Sequence, residues 1–566
     1  MASKFIHSYD ISKHYSKDEL KGLNVVFINM PLRESAMPVV APEGPAILAG
    51  VLLEYGVNTT ILDLNAYRIN DKHVISEKQP SGRHLTFLEA ECLFRLHIEK
   101  NGSPDVVAFS GIITTLKWQE EFAKIVRKIL PDCFLVTGNG LATEISTGLF
   151  KWIPELDAIA RSEGDDVILV IAKDAKIIKE HGLESSIDSG LLSPYYAGIV
   201  EGSHRFVYEG NRPGDLNRIP YPAWELLEED TIGISILENY INVPLWGIVA
   251  NNSSATPFTM ERSINTVSSR GCPYTCTFCY RGAQGERNYG VRDGEHLALQ
   301  IKHHVEKYNI DFIGFLDDNF AVQKKRVQAM PEIFREHDID IKWGTHMRMD
   351  EADDRVFQMS EAGCIYIGFG AESASEKTLI AMEKGGHILR NGLVEKTVDG
   401  KKYSFPKTMV DAVINCHKSG IHANCTWIMG YPGETLEELK TSVAFIKWQQ
   451  DIIENNEVEN NCGYSDVKTS INRRMFTATA YPGTAMFKDD HVKKVLNKNF
   501  GITFQENSEP VCDDAFHSYV LELDDATKML IGSDGKLVNY SKIDDEKYKI
   551  ARELIMSGKV EEILSL

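Results

Sequence analysis

The sequence predicts an α/β protein in which two parallel-sheet units follow each other and a mixed α/β C-terminal region comes last. Strand-like and helix-like stretches alternate between residues 24 and 172, and a similar alternation returns between 264 and about 445. Repeated strand-then-helix order is typical of a parallel sheet with helices on both faces. A third observation, three closely spaced cysteines in the second unit, indicates where the chemistry lies.

The first unit is predicted to be Rossmann-like. Its first strand, NVVFINM (24–30), is a continuous apolar run with β-branched residues, which fits a strand covered on both faces. A helix over 42–55 should end at Gly56. The remaining elements are predicted strands at 58–64, 105–111, 133–138 and 156–162 and a helix at 116–130. Residues 65–104 interrupt the alternation and are interpreted as an insertion.

The second unit is predicted to be a barrel of parallel strands whose polar residues follow the strand ends, where such barrels keep their active sites. Its strands are expected within 264–269, 311–320, 341–350, 364–373 and 422–433. Residues 385–404 are predicted to form an inserted hairpin that lines the pocket, and 477–487 to form a strand. The domain boundaries expected from these patterns are 1–21 for an N-terminal extension, 22–190 for the Rossmann-like domain, 191–262 for a linker, 263–445 for the partial barrel and 446–566 for the C-terminal region.

Composition narrows the class of protein. The chain has 566 residues, of which 43% are hydrophobic and 25% charged, and a formal net charge of −20. No apolar run approaches the ~20 residues that cross a bilayer, and the N-terminal residues lack a signal-peptide core. An acidic chain without a long basic run disfavours a nucleic-acid partner. We therefore expect a cytoplasmic protein that acts on a small molecule, without a nucleic-acid or membrane partner.

Three of the 10 cysteines, Cys272, Cys276 and Cys279, lie within RGCPYTCTFCY after the first barrel strand. In a reducing compartment, such a group is more often a metal or redox site than a disulfide site. Three thiolates are too few for the four-ligand shell of a structural zinc site. They suit a four-iron cluster with one open iron, although a zinc site or a chance grouping remains the alternative.

The spacing CxxxCxxC in GCPYTCTFCYRG resembles that of radical S-adenosylmethionine (SAM) enzymes. The resemblance implies a [4Fe–4S] cluster held by Cys272, Cys276 and Cys279 as catalytic metal ligands, SAM bound at the open iron, and an external electron donor such as flavodoxin or ferredoxin. FLDDNF, GFGAES and MGYPGET resemble later strand ends of the family barrel.

The same resemblance implies which residues hold SAM. Tyr280 would lie against the adenine, Glu372 and Ser373 would contact the methionine or the ribose, and Arg348 would help with the carboxylate. The alternative for Arg348 and Glu372 is a solvated or paired surface charge. Asp317 and Asp318 could be ligands or loop-capping carboxylates.

Residues 24–172 resemble the cobalamin-binding domain of cobalamin-dependent radical SAM enzymes, through PEGPAILAGVLLEYG, ILDLN, SGIITT, TGNG, RSEGDD and the linker DLNRIPYPAWELL. The resemblance covers about residues 22–445. It implies that the carboxyl edge of the first sheet binds cobalamin. The expected contacts are Ser110, Thr137, Gly138, Gly140, Glu163 and Gly164. A Rossmann-like domain that binds no ligand is the alternative.

One feature departs from the cobalamin-binding pattern. The loop PLRESAMPVVAP after Met30 has no histidine to coordinate cobalt, and DKHVIS (71–76) matches only the start of the D-x-H-x-x-G motif. We interpret His73 as a surface histidine and expect cobalt to lack a protein imidazole.

Together these features predict a cobalamin-dependent radical SAM methyltransferase. It would methylate an unactivated carbon of a small molecule through a 5′-deoxyadenosyl radical and methylcobalamin. A cyclase or rearrangement enzyme with the same cofactors, a sensor that binds cobalamin or SAM without turnover, and a tRNA-modifying enzyme are the alternatives. The cysteine group disfavours the sensor, and the charge of −20 disfavours the tRNA enzyme.

Overall fold

Two separate parallel sheets organise the chain. The computed structural model describes residues 19–32, 40–67, 83–193, 196–200, 203–242, 260–280, 289–455, 457, 475–523 and 529–566. The chain divides into one unit of residues 1–240, 281–290 and 517–526 and a second unit of 241–280, 291–516 and 527–566. None of the described helices combines the length and the apolar composition that crossing a bilayer requires.

The first sheet is built from apolar strands whose inner residues are buried. The strands are β1 (Asn24–Asn29), β2 (Asn58–Asp63), β3 (Val106–Ser110), β4 (Phe134–Gly138), β5 (Ala158–Ser162), β6 (Tyr196–Val200) and β7 (Ser203–Gly210). They lie in the order β2-β1-β3-β4-β5-β7-β6. All neighbouring pairs are parallel except β6 with β7. The predicted Rossmann-like sheet is therefore confirmed.

The described helices as far as residue 242 are Glu43–Glu54, Phe87–Asn101, Leu116–Ile129, Gly140–Ile145, Leu149–Trp152, Val167–His181, Leu183–Asp188 and Ile236–Asn242. The Phe87–Asn101 helix lies in the predicted insertion, and a capping box of Thr86 with Glu89 fixes its start. Strand β7 lies in the predicted linker. Its charged residues interrupt the apolar run that would predict a buried strand, although Phe206 and Tyr208 are buried.

The strands of the second half are β8 (Ser263–Thr266), β9 (Ser269–Arg270), β10 (Gly290–Val291), β11 (Phe312–Phe315), β12 (Lys342–Arg348), β13 (Cys364–Glu372), β14 (Leu393–Val398), β15 (Lys401–Pro406), β16 (His422–Met429) and β17 (Met475–Thr477). Six of them form a sheet in the order β17-β16-β13-β12-β11-β8. Every neighbouring pair in it is parallel. This sheet is the predicted partial barrel.

The helices of this half are Gly294–Tyr308, Lys324–Glu336, Arg355–Glu361, Glu376–Ala381, Gly385–Ile388, Lys407–Lys418, Leu436–Glu454, Asp490–Phe500, Asp514–Glu522 and Asp545–Met556. One face of the sheet packs against helices. For example, Trp427 of β16 contacts Phe445, with ring centroids 5.6 Å apart, and Gln300 donates to Thr266. Because side chains alternate along a strand, the other face is available for a site.

Two further predictions in this half concern the hairpin and the last strand. The hairpin forms, as predicted, from β14 and β15 around Asp399 and Gly400, both with positive φ. Phe405 of the hairpin packs on Phe445 and Trp448 of the Leu436–Glu454 helix, which buries its aromatic ring. The strand predicted over 477–487 is wrong: β17 runs from Met475 to Thr477, and the predicted range contains a turn at Pro482 and Gly483 instead.

Glu434, in the loop after β16, has a buried carboxyl group, and its main-chain carbonyl accepts a hydrogen bond from the Lys542 amide of the C-terminal region at 2.8 Å. Glu434 is 1% exposed, and its Oε2 accepts a hydrogen bond from the Gly430 amide at 2.7 Å. A Cβ at Gly430 would approach the Tyr548 hydroxyl to 2.7 Å, so Gly430 lets the Asp545–Met556 helix pack closely. Burial raises the pKa of Glu434 to about 8, against a smaller lowering by the Gly430 amide.

This carboxyl predicts how stability depends on pH. An unfolded Glu434 loses its proton near its ordinary value, while the folded one keeps it to about pH 8. As the pH rises between these two pKa values, the free energy of unfolding of the wild type should therefore fall, relative to that of Glu434→Gln, by about 1.4 kcal/mol per pH unit. Thermal unfolding of both proteins from pH 5 to pH 8.5 measures the difference. Glu437→Gln, at an exposed position one turn away, should follow the wild type. A constant gap between Glu434→Gln and wild type would contradict the prediction.

Candidate active site

The three cysteines follow β8 and β9 at the carboxyl edge of the second sheet, as predicted. Cys276 is buried, Cys272 is partly buried and Cys279 is exposed. The loop is fixed at both sides, because the Thr277 amide donates to the Met382 carbonyl and the Met486 amide donates to the Thr277 carbonyl. These two backbone hydrogen bonds fix the middle of the loop.

The surroundings of the thiols fit a cationic cluster. Protein atoms surround the Cys279 sulfur although part of the residue is accessible to solvent, so desolvation first, and then the neighbouring Cys276 and Cys272, raise its pKa. Burial and Cys276 likewise raise the pKa of Cys272. Three thiolates so close together repel each other, and iron would relieve that repulsion.

No group of three or more His, Cys, Asp or Glu residues in the described part of the chain is arranged to hold one metal ion. A [4Fe–4S] cluster does not need such convergence, because each cysteine binds a different iron. The assignment of the cluster therefore depends on the cysteine spacing, the loop position and the family match reported below.

Glu372 lies at the end of β13 in a strained conformation. Its φ is 64°, and the pairing of β13 with β16 is irregular between Gly370 and Glu372. Its carboxylate lies over Gly370, where a Cβ would come within 2.6 Å of Oε1. Backbone strain in a non-glycine residue is frequent at functional sites, which agrees with a role for Glu372.

Lys384 is a residue that the sequence analysis missed. Its ammonium pairs with Glu372 Oε1 at 3.4 Å, and the two side chains are only 5% and 12% exposed. The same ammonium lies 5.9 Å from the ring centroid of Phe278 in the cysteine loop. Burial raises the pKa of Glu372, and Lys384 opposes this effect. The pair thus brings one charge of each sign to the cysteine loop.

Of the other residues predicted to bind SAM, Arg348 and Tyr280 lie at the cysteine loop, whereas Ser373 lies on the helix side of the sheet. Arg348 contacts Cys276, and Tyr280 follows Cys279 directly, with its carbonyl 3.5 Å from the Cys279 sulfur. Ser373 is fully buried, and its hydroxyl contacts Ser442 at 3.1 Å on the helix side of the sheet. The irregular pairing before Ser373 turns its side chain inward, so the predicted direct contact with SAM does not fit its position.

The two aspartates after β11 have different roles. Asp317 is buried and accepts hydrogen bonds from the Ser268 amide, the Ser268 hydroxyl and the Ser269 hydroxyl, each at 2.6 Å. It is therefore the loop-capping alternative, and it holds the chain just before the cysteines. Asp318 is exposed and accepts from the Gly271 amide at 3.2 Å.

The face of the second sheet that lies opposite the helices has an unusual composition. Its aligned rows include Gly344 beside Tyr366, and Gly368 beside Asn424. A Cβ on Gly368 would come within 2.5 Å of the His346 ring, so this ring lies flat over the glycine. Asn424 Oδ1 is buried and has no hydrogen-bond partner among the described residues. The glycines on this face thus make room for neighbouring rings, those of Phe312 and Tyr366 at Gly344 and that of His346 at Gly368.

The first sheet has its own candidate site at its carboxyl edge. Asn139, with φ of 73°, caps the Gly140–Ile145 helix through the Gly140 amide at 2.7 Å, and its side-chain nitrogen lies 3.4 Å from the Ser110 hydroxyl. A Cβ on Gly138 would meet only ordinary contacts of 3.7 Å. Packing within this unit therefore does not require a glycine at position 138. Close approach of a ligand to the backbone would explain why a glycine is present there.

The remaining residues predicted to bind cobalamin are tied to the protein. The Thr137 hydroxyl donates to Gln119 at 2.6 Å and Thr137 is fully buried, because alternation along β4 turns it toward the helix. The predicted hydroxyl contact with a ligand does not fit this position. Glu163 pairs with Arg212 at 2.8 Å, and Gly164 packs against Leu48, to which a Cβ would come within 3.1 Å. The loop after Met30 and His73 lie largely outside the described residues.

Comparison with known families agrees with this geometry. Residues 266–446 match the Radical SAM superfamily. The match spans the cysteine loop and the strands from β11 to β16. The family implies a [4Fe–4S] cluster and SAM.

Two curated relatives show how far the similarity extends. The chain is 24% identical over 477 residues to an uncharacterized methyltransferase of Pyrococcus horikoshii, with 83% of each chain covered. It is 24% identical over 361 residues to the anaerobic magnesium-protoporphyrin IX monomethyl ester cyclase of Rubrivivax gelatinosus. That match covers 62% of this chain and 55% of the cyclase, so the chain spans about half of the cyclase's length.

Two solved structures share the fold. The cobalamin-dependent SAM radical enzyme OxsB, with aqua-cobalamin and SAM bound, superposes with a TM-score of 0.62 at 13% identity, covering 95% of this chain and 67% of OxsB. The radical SAM methyltransferase TsrM from Kitasatospora setae, with tryptophan and a SAM analogue, superposes with a TM-score of 0.54 at 14% identity, covering 91% of this chain and 84% of TsrM. The chain therefore shares the fold of these two structures.

Proposed function

We propose that the chain is a cobalamin-dependent radical SAM methyltransferase that acts on an unactivated carbon of a small molecule. The observation that carries the proposal is a three-cysteine loop in a radical SAM domain that follows a separate Rossmann-like sheet. The similarity to a methyltransferase over 83% of both chains supports the methyl-transfer reaction. With their cofactors bound, these domains would supply a 5′-deoxyadenosyl radical and a methyl group.

Each part of the proposed site has a task that its geometry supports. Cys272, Cys276 and Cys279 would hold the cluster. The buried Glu372–Lys384 pair would hold the amino and carboxylate groups of SAM, since each partner offers the charge that one of these groups needs. Tyr280 would cover the adenine.

Cobalamin would occupy the carboxyl edge of the first sheet. Ser110 offers a hydroxyl there, and Gly138 and Gly140 let the backbone approach a bulky ligand. Glu163 and Gly164 would support the cobalamin site without a direct contact, because the Glu163 carboxylate is paired with Arg212. Two residues take supporting tasks in place of the predicted contacts, since Thr137 anchors β4 and Ser373 anchors the end of β13.

The substrate would lie on the glycine-lined face of the second sheet. His346 and Asn424 present polar atoms there, and burial lowers the pKa of His346. A neutral imidazole and an amide recognise a substrate by hydrogen bonds without a fixed charge. We therefore propose a polar small molecule with hydrogen-bonding groups as the substrate class.

A second reaction uses the same architecture. The similarity to the magnesium-protoporphyrin IX monomethyl ester cyclase favours ring formation without methyl transfer as the other candidate. The two reactions differ in their nucleoside products. Methyl transfer should give one 5′-deoxyadenosine and one S-adenosylhomocysteine per methylated product, whereas cyclisation should give no S-adenosylhomocysteine in step with product. Anaerobic turnover with a candidate substrate and chromatographic measurement of both nucleosides decides between them.

A further inference from the structure

Arg348 makes a contact that the SAM-binding role does not use. It is the last residue of β12 and is 6% exposed. Its Nη1 donates to the Sγ of Cys276 at 3.3 Å. Cys276 is the buried cysteine of the three, so this hydrogen bond is shielded from water.

The guanidinium is held in this position from three other directions. Its Nε donates to Asp350 Oδ1 at 2.8 Å, and its Nη2 donates to the Lys384 carbonyl at 3.2 Å. Its Cζ lies 3.9 Å from the ring centroid of Tyr274 in the cysteine loop. A planar fork with fixed donors and a stacked aromatic ring has little freedom to turn away from the sulfur. Two of its five N–H groups are left for other partners.

The charge of Arg348 is permanent, because a guanidinium is not deprotonated in proteins, and Asp350 pairs with it at 2.8 Å. A fixed cation thus lies within hydrogen-bonding distance of a sulfur that the proposed function assigns to the cluster.

We propose that Arg348 raises the reduction potential of the [4Fe–4S] cluster through its N–H···S hydrogen bond to Cys276, an inference that rests on the proposed function. Reduction adds one electron and no proton to the cluster, and the external donor supplies that electron. The added negative charge is stabilised by a nearby cation and by hydrogen bonds to the ligand sulfur, which are established determinants of cluster potential. Arg348 would therefore make the cluster easier to reduce.

The test is an EPR-monitored redox titration of the reconstituted protein without SAM. At the potential where half of the wild-type cluster is reduced, Arg348→Gln should leave at most about one cluster in ten reduced, a shift of about 59 mV per tenfold change for one electron. Arg348→Lys keeps the charge but not the planar fork, so it should lie between the two. Asp350→Asn should shift the potential upward, because it removes the opposing charge.

The matched control is Arg355→Gln. Arg355 is a buried arginine of the same domain, it pairs with Asp353 and the Ala321 carbonyl, and it has no hydrogen bond to a cysteine. Its variant should titrate as the wild type does. An unchanged potential in Arg348→Gln, or an equal shift in Arg355→Gln, would overturn the inference. If Arg348→Gln assembles no cluster, an unshifted or downward-shifted Asp350→Asn overturns it instead. A wild-type protein that forms no [4Fe–4S] cluster would overturn the proposed function itself.

Discussion

Cys276→Ala is expected to abolish formation of 5′-deoxyadenosine from SAM. Its sulfur is the buried ligand of the loop and the one that Arg348 contacts, so its loss should leave two ligands and no stable cluster. Activity should fall below detection, and the cobalt-bound corrin should still bind, because its proposed site belongs to the other unit. Reconstitution under anaerobic conditions, followed by chromatography of the nucleosides, measures the result.

The control for this variant is Cys425→Ala. Cys425 is also buried and belongs to β16 of the second sheet, but it is not in the cysteine loop. It should form 5′-deoxyadenosine at the wild-type rate. Wild-type activity in Cys276→Ala would show that the cluster assignment is wrong.

Glu372→Gln is expected to weaken SAM binding at least about tenfold, or about 1.4 kcal/mol. Glutamine keeps the size of the side chain but removes the charge that pairs with Lys384 and that would hold the amino group of SAM. Hydrogen bonds to charged groups are the stronger class, so the loss should be large. Equilibrium binding of labelled SAM to the cluster-loaded protein gives the affinity.

Glu376→Gln serves as the matched control, because Glu376 is exposed in the first turn of the next helix. Its affinity for SAM should equal that of the wild type. Equal affinities of Glu372→Gln and wild type would remove Glu372 from the SAM site, and the Glu372–Lys384 pair would then be structural.

Local patterns made most of the fold predictable. Continuous apolar runs such as that of β1 have few alternatives to a buried parallel strand, and the three cysteines lie within eight residues of one another. Strand β7 was missed because its short apolar stretch, Phe206 to Tyr208, is flanked by polar residues, His204 and Arg205 before it and Glu209 after it.

The direction of single side chains was less predictable. Thr137 and Ser373 belong to correctly predicted strand ends, yet both hydroxyls are directed at helices. For Thr137, strict alternation along β4 would have indicated this direction. For Ser373, the irregular pairing after Gly370 changes the alternation, and no local sequence pattern announces it.

Contacts between distant segments were the least predictable part of the site. Lys384 lies 12 residues after Glu372, and Arg348 lies 72 residues after Cys276. Such pairs arise only when the parallel strands bring their carboxyl ends together. No local pattern marks Lys384, because its burial beside Glu372 results from the tertiary packing.

The most direct test of the account is the methylation of cobalamin by SAM alone. The cluster- and cobalamin-loaded protein, reduced under anaerobic conditions, is incubated with SAM that carries a labelled methyl group, and the bound corrin is then extracted and analysed. The account predicts labelled methylcobalamin and an equal amount of S-adenosylhomocysteine before any substrate is added. Unlabelled cobalamin after this incubation, with SAM still bound, would contradict the methyltransferase assignment and favour the cyclase-like reaction.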